Sequence, residues 1–234
     1  EEDNSYQINS TDMDAGWDYS YFHMMNANLM EATDGNHYWG NMYDVRDHIR
    51  ASSQGYNDHY SPVVYTENHD EGRVIYHAMQ FQGMSHDDAI KKSKLGAAIM
   101  MTGQGMPMLF HGQEFGQNRA SWHDPGGVGE SPLQWNNLNT DFGQDLFEYY
   151  QKLIQLRKHY DAVTSSNINI RSQSNGQKSI VYWRTDGYDE VIIAANFNNS
   201  TQWIDIEFPY SGTWFDYITG VPINLESNWY GNYE

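Results

Sequence analysis

Strand-then-helix alternation over residues 1–162, followed by short runs of period two over residues 163–234, predicts an α/β unit joined to a small all-β unit. Three observations carry that expectation. Val63, Val64, Tyr65, Thr66 and Glu67 form a β-branched and aromatic run that opens after Pro62 and ends in the polar cluster Asn68-His69-Asp70-Glu71-Gly72-Arg73. Met106-Pro107-Met108-Leu109-Phe110 repeats the pattern and ends in His111-Gly112-Gln113-Glu114-Phe115-Gly116. Past residue 167 the texture changes to five alternating runs, 168–173, 179–185, 190–197, 202–208 and 213–218, with Asn175-Gly176 and Asp186-Gly187 as hairpin turns of the favoured kind.

The remaining elements follow in order. Residues 1–12 are polar and read as a loop, and a short strand holding Trp17 lies between Met13 and Tyr19. Phe22, Met25, Leu29 and Met30 fall on one stripe of a helix over 21–32, which Gly35-Asn36 stops. A short helix over Tyr43 to Ala51 ends at Gln54-Gly55. After the strand at 63–67, Val74 to Met84 has helical character. Ser85 with Asp88 makes a capping-box pattern for a helix over His86 to Thr102, which turns small and apolar toward its end and stops at Gly103. Residues 117–141 form a long loop, of a length that is usually functional, with Trp122 and Trp135 as packing anchors. Asp141 to Tyr160 is a helix with Leu146, Tyr149, Tyr150, Leu153, Ile154 and Leu156 apolar, and with Lys152, Arg157 and Lys158 near its C-terminal end, where cations are favoured. The boundary between the two units falls near 162–167. At most three strand–helix units fit before it, whereas a closed (β/α)8 barrel needs about 250 residues; the chain therefore holds part of a barrel.

Composition narrows the partners. The net charge of −18 argues against nucleic acid and against an anionic membrane surface, because both require a basic face. It suits a neutral or cationic ligand. No apolar run approaches the roughly 20 residues of a membrane span. Cysteine is absent, which excludes disulfides and thiolate metal sites. Aromatic content is 15%, with 18 Tyr and 8 Trp; such rings pack against the C–H faces of sugars, or simply fill a core. The chain opens at Glu1 with neither Met nor a targeting pattern, which suggests a processed form or a piece of something longer.

Asn68-His69-Asp70 is open to three readings. It is a turn with a self-satisfied Asx hydrogen bond, a metal site drawing on His69, Asp70 and Glu71, or a carboxylate site for a sugar in which His69 donates to hydroxyls and Asp70 accepts from them. Adjacent residues at a strand end point apart, and no second His sits at metal-ligand spacing. The ten His are scattered and give no metal cluster.

Taken together, strand 63–70 ending in Asn-His-Asp and, some forty residues on, Gly105-Met106-Pro107-Met108-Leu109-Phe110-His111-Gly112-Gln113-Glu114 resemble the seventh and eighth barrel strands of the α-amylase family, glycoside hydrolase family 13. Trp17-Asp18-Tyr19 and the helix after it look like that family's sixth strand and helix. Pro132-Leu133-Gln134-Trp135 and the helix 145–158 look like the stretch leading into its last helix. The resemblance covers essentially the whole chain. It implies the last three β/α units of a (β/α)8 barrel over 1–162 and a C-terminal antiparallel β-sandwich over 163–234.

The resemblance also implies roles. Asp70 holds hydroxyls of the sugar being cleaved and stabilises an oxocarbenium-like transition state; His69 binds the same sugar, with Asn68 and Arg73 beside them. For Arg73 an ion pair with Glu71 or Asp70 at a helix start stands as the alternative to a substrate contact. Retaining glycoside hydrolysis needs two further carboxylates roughly 5 Å apart. In the family these sit on the fourth and fifth strands, the nucleophile upstream of Glu1, with Glu1 or Glu2 near the spacing of the acid/base. The chain by itself is then expected to be inactive. An open barrel edge is expected to pair with another copy, to be covered by the chain's own loops, or to leave the chain poorly stable. No cofactor is implied; calcium occurs in many relatives, mostly in parts outside this chain. Glu114 reads as structural rather than catalytic, while His111 and Trp122 line a cleft or anchor their loops.

The leading function is a hydrolase or transglycosylase acting on α-glucans of the starch and glycogen type, with a branching enzyme not separable from a hydrolase. The alternative is a non-catalytic carbohydrate-binding or scaffold relative. Residues 167–234 as a binding module rank below both, for want of a planar row of Trp among the strands.

Overall fold

The computed structural model describes residues 5–30, 40–120, 132–226 and 231–233. A helix α1 (Ser5–Ser10) precedes three parallel strands, β1 (Gly16–Trp17), β2 (Pro62–Val64) and β3 (Met106–Pro107), that lie side by side in that order with Trp17 opposite Val63 and Val63 opposite Met106. Helix α2 (Tyr19–Met30) follows β1, and α3 (Met42–His48) comes after it. Helices α4 (Val74–Gln80) and α5 (His86–Thr102) follow β2. Helices α6 (Asp141–His159) and α7 (Asp161–Thr164) follow β3. This is the expected succession of three β/α units.

The strands are shorter than their sequence runs. The run at 63–67 ladders only as Pro62–Val64, and the run at 106–110 only as Met106–Pro107. Pro107 brings no N–H, and the last rungs are Asp18 N to Val63 O (2.9 Å) and Met108 N to Val64 O (2.9 Å). Beyond them the carbonyl of Thr66 is taken by the Asn26 side chain of α2 at 3.2 Å, so a helix rather than a strand supplies the partner.

Two further expectations change. Residues 5–10 are helical rather than loop, because Ile8 packs with Ala51 and Tyr56 while Asn9 Nδ2 donates to the Gly55 carbonyl. Helix α2 begins at Tyr19, capped by Asp18 Oδ1 accepting from Tyr21 N at 2.9 Å. It is buried all round from Tyr21 to Met30 rather than along one stripe. Asn26 and Asn28 survive inside because each donates to the carbonyl four residues back, Phe22 and Met24. The stop at Gly35-Asn36 and Trp122 lie outside the described residues. Helix α5 is capped as expected, with Ser85 Oγ accepting from Asp88 N at 3.2 Å.

The C-terminal strands form three antiparallel sheets. β4 (Ile168–Ser174), β5 (Ser179–Thr185) and β6 (Glu190–Asn196) make a meander. β7 (Ile204–Ile206) pairs with β10 (Gly231–Tyr233), and β8 (Gly212–Phe215) pairs with β9 (Pro222–Leu225). Strands β9 and β10 had no alternating run to reveal them. The hairpin connections are four residues long, 175–178 and 186–189, rather than tight two-residue turns. In the second, Asp186 Oδ1 accepts from Tyr188 N and Asp189 N, an Asx arrangement that needs the longer loop. Helix α7 straddles the boundary expected at 162.

One face of the meander joins the main core. Ile180, Tyr182, Ala195 and Phe197 pack in the same cluster as Leu29, Val45, Ile99 and Leu153. The opposite face, through Val181, packs on Ile204 and Ile206 of β7. Polar contacts join the meander to α5. Tyr182 Oη lies 2.5 Å from Thr102 Oγ1, Lys92 Nζ donates to the Phe197 carbonyl at 2.8 Å, and the buried Arg184 donates to the carbonyls of Thr102 (2.6 Å), Asn167 (3.1 Å) and Ser165. Burial lowers the Arg184 guanidinium to about 10. Arg157 of α6, expected to complement its own helix end, instead donates to the carbonyls of Met101 (3.0 Å) and Gly105 (2.6 Å) around the end of α5.

Two outcomes are expected. A Cβ at Gly143 would stand 1.9 Å from the Asn137 carbonyl oxygen. Gly143→Ala should therefore destabilise the chain by about 1–3 kcal/mol in urea unfolding, despite the better helix propensity of Ala. Burial raises the Tyr149 and Tyr182 phenols to about 12, and pushes those of Tyr21 and Tyr150 well up. An unfolded phenol ionises near about 10. Between those values the folded chain keeps protons that the unfolded chain has lost, so stability should fall as pH rises through that window. Phenolate absorbance should show a late step, and the urea midpoint should drop between about pH 10 and 12.

Candidate active site

The polar cluster sits at the C-terminal end of β2, between the ends of β1 and β3. Its foundation is a buried ion pair that the sequence did not single out. Glu67 and Arg73 are 1% and 3% exposed and meet at 3.0 Å. The second carboxylate oxygen of Glu67 accepts from Val74 N at 3.0 Å, satisfying one of the free N–H groups that open α4. The second arm of Arg73 donates to the His111 carbonyl at 3.0 Å, and its guanidinium lies 4.0 Å above the Phe110 ring. Burial pushes the Glu67 carboxyl up, and the charge and hydrogen bond of Arg73 pull part of that shift back. Gln113 adds a second tie: its Nε2 donates to Thr66 Oγ1 at 2.7 Å and to Tyr150 Oη at 2.8 Å.

Residues 68–72 are held between Glu67 and Arg73 and turn outward. Asn68 is buried, and its Oδ1 accepts from Asp70 N at 2.9 Å and Glu71 N at 2.7 Å. The Asx turn weighed from the sequence is therefore present, and it is what shapes the loop. Gly72 leaves room for His77, whose Nε2 would lie 1.7 Å from a Cβ there. Glu71 accepts a hydrogen bond from the Tyr19 hydroxyl beyond β1. The side chains of His69 and Asp70 face solvent, 58% and 40% exposed, with Nε2 and Oδ2 3.2 Å apart. The His69 ring stands edge-on to Trp17 at 6.0 Å, and Trp17 in turn packs edge-on to the buried Tyr65 at 5.6 Å.

The structure thus brings Asn68, His69 and Asp70 into one constellation. Arg73 is removed from the set that could touch a ligand: its partner is Glu67, not Glu71 or Asp70, and both arms are spent inside the fold. Buried charges persist when paired and hydrogen-bonded, and this guanidinium has no reach left toward solvent. Glu67, Gln113 and Tyr19 escaped the sequence reading. The one local hint was a carboxylate placed to end an apolar strand six residues before an arginine. Among the described residues no group of three or more His, Asp or Glu comes together to hold a metal, and no helix is long and apolar enough to cross a membrane.

Beside the loop after β3, a cavity of about 380 Å³ is lined by Leu109, His111, Glu114, Phe147, Tyr150 and Ile154. Glu114 Oε2 is buried there without a hydrogen-bond partner. Trp135 stacks on Phe115 at 5.6 Å yet stays 62% exposed.

Chemically, the exposed carboxylate and imidazole are poised to accept from and donate to neighbouring hydroxyls of one ligand, and the carboxylate can stabilise positive charge developing nearby. Removing Glu67 strands Arg73 in the interior. Glu67→Ala should cost about 3–5 kcal/mol in chemical unfolding, whereas Asp70→Asn, at a solvent-facing position, should leave the unfolding midpoint within about 0.5 kcal/mol of wild type.

Residues 1–141 match the family model described as alpha amylase, catalytic domain. A cyclomaltodextrinase from Bacillus sp is 27% identical over 144 residues, 61% of this chain and 23% of that protein. Neopullulanase 2 from Thermoactinomyces vulgaris is 28% identical over 135 residues, 57% of this chain and 22% of that protein. The matches thus span under a quarter of these relatives' length. Among solved structures, the α-amylase from Geobacillus thermoleovorans complexed with acarbose superposes with a TM-score of 0.74 at 16% identity, over 98% of this chain and 48% of that one. The γ-CGTase from alkalophilic Bacillus clarkii gives 0.73 at 20% identity, over 100% of this chain and 32% of that one. At these identities the structural likeness speaks for the fold.

Proposed function

The chain belongs to the alpha-amylase catalytic-domain family, and from that premise we propose that it forms the closing part of an enzyme that hydrolyses O-glycosidic bonds of α-glucans with retention. β1, β2 and β3 correspond to strands six to eight of the barrel. The strands after residue 163 correspond to the family's C-terminal β-sandwich, with the β4–β6 meander as one layer and β7 with β10 in the other. Asp70 holds hydroxyls of the sugar undergoing cleavage and stabilises the positive charge that develops at its anomeric carbon. His69 binds the same sugar, and Asn68 fixes the turn that carries both. Arg73 acts through that turn and does not contact the sugar.

One observation carries this reading. Of the acidic side chains around the end of β2, Glu67 is committed to Arg73 and Glu71 to Tyr19, while Asp70 is the one turned to solvent beside an imidazole. A carboxylate that must accept from sugar hydroxyls needs that exposure. The double-displacement route requires a nucleophile and an acid/base in addition. With Glu67 and Glu71 engaged, the described residues around Asp70 offer neither; the nucleophile is supplied by a strand beyond these three, and the acid/base by such a strand or by Glu1 or Glu2. The free sides of β1 and β3 are where such strands, or a second copy of this sheet, would pair. The names of the relatives, cyclomaltodextrinase and neopullulanase, support an α-glucan as the ligand.

The test is kinetic. This chain alone should release no reducing ends from maltoheptaose above the uncatalysed background. In a polypeptide carrying all eight strands, Asp70→Asn should lower kcat/KM by at least about 10²–10³-fold, the range for losing one electrostatic stabiliser of a transition state. Full turnover by the chain alone, or full activity in Asp70→Asn, would sink the assignment.

A further inference from the structure

The face of the meander turned away from the main core ends in an exposed aromatic stack. Val181 packs on Ile204 and Ile206, and Phe208 extends that cluster past the end of β7. Trp214 of β8 stands edge-on to Phe208 at 5.3 Å, and Tyr210 stacks on Trp214 at 4.8 Å with 30° between the rings. The Trp214 indole N–H donates to the Tyr210 carbonyl at 3.2 Å, which fastens the pair to itself. Tyr210 is nevertheless 57% exposed. The result is a rigid ring platform anchored to a core on one side and open to water on the other.

Carboxylates border it. The charges of Glu190, at the start of β6, and of Asp189 beside it act on the Tyr210 hydroxyl. Glu190 Oε2 is shielded and has no hydrogen-bond partner. The register that sets Thr185 opposite Glu190 and Trp183 opposite Ile192 puts Trp183 on the same face as Glu190, and the Trp183 indole N–H is also buried and unpartnered. An acceptor and a donor are thus left over on the face of the meander that carries Val181.

We propose that Tyr210 and Trp214, bordered by Glu190 and Asp189, form a second α-glucan-binding surface, separate from the Asp70 loop. An open ring face offers apolar contact to the C–H face of a pyranose, and the neighbouring carboxylates accept from its edge hydroxyls. A neutral ligand also suits a chain of net charge −18, which disfavours polyanions. The choice of an α-glucan rests on the function proposed above; the place of the surface rests on the stack. Because the meander buries its other face against the helices, a glucan held here lies outside the cleft at the strand ends, and the surface serves to tether polymeric substrate.

Affinity electrophoresis of the full chain in gels containing soluble starch, with hydroxyethylcellulose as the control polymer, tests this. Wild type should be retarded by starch and not by the control. Tyr210→Ala should weaken the apparent affinity about tenfold, while Trp203→Ala, an exposed ring at the opposite end of β7, should not. Circular dichroism melts check that Tyr210→Ala folds, as a half-exposed position should allow, and Tyr210→Phe, which keeps the ring, should retain most of the retardation. Retardation of Tyr210→Ala equal to wild type, or none for wild type in starch, overturns the surface. Retardation lost in Asp70→Asn but kept in Tyr210→Ala also overturns it while leaving the proposed function standing. Retardation by the cellulose derivative in place of starch overturns the α-glucan assignment of both sites.

Discussion

The arrangement at the strand ends depends on the buried pair of Glu67 and Arg73. Taking two charges out of water costs several kcal/mol per ion, and an apolar pair of similar volume is often as stable. This pair keeps its place because nearly every valence is used: one Glu67 oxygen on Arg73 and the other on Val74 N, the far arm of Arg73 on the His111 carbonyl, and the flat face of the guanidinium on Phe110. An apolar pair could fill the space but could not fix direction. Residues 67 and 73 are pinned by directional bonds, so the five residues between them have a fixed span to cover and bulge outward. The same bonds couple the loop after β2 to the loop after β3, so that a shift of either strand end is felt at His69 and Asp70.

A second use of buried cations joins the helical part to the β part. The end of α5 leaves carbonyls without intrahelical partners. Arg157 from α6 takes that of Met101 and also reaches the Gly105 carbonyl just beyond the helix, and Arg184 from β5 takes that of Thr102. Among the described residues no carboxylate compensates Arg184, and its depressed basicity reflects burial first, with a further contribution from the charge of Arg157. The negative end of the α5 dipole supplies part of what a carboxylate would otherwise provide. The core is continuous through this joint, with Tyr182 and Phe197 packed in the same cluster as Ile99 and Leu153.

What the sequence disclosed was local, and what it concealed was not. The α5 boundaries follow from Ser85 and Asp88 at one end and Gly103 at the other, all within the element. β4, β5 and β6 follow from alternation. The ends of β2 and β3 depend instead on where neighbouring strands stop offering partners, and the bond from Asn26 to the Thr66 carbonyl spans forty positions. β9 and β10 are held by pairing rather than pattern. The motif around Asp70 was legible because its residue types are unusual after a strand. The partner of Arg73 was not, because a carboxylate six residues back and a carbonyl thirty-eight residues on meet it only in the fold. Arg73 looked like a ligand contact for the reason that makes it a good clamp: an arginine in a polar loop can serve either end.

Glu67 and Asp70 show how the same chemical group is put to opposite ends within four residues. Where the charge must hold structure it is enclosed, desolvated and saturated with partners. Where a ligand must reach it, it is left wet, with a single imidazole beside it. In water an exposed carboxylate discriminates poorly among hydroxyls, since solvent competes for each of its lone pairs. A ligand that covers Asp70 removes that competition itself, and every interaction beneath it strengthens as the local dielectric falls. Trp17, half-buried and backed by the buried Tyr65 and Phe22, already forms an aromatic wall on one side of His69. Little further enclosure is then needed, and it falls to the ligand and the rest of the barrel rather than to the loop. Rigidity beneath and openness above are therefore parts of one requirement. The turn must not adjust when water leaves, or the energy gained from desolvating the contacts would be spent on moving the groups that make them.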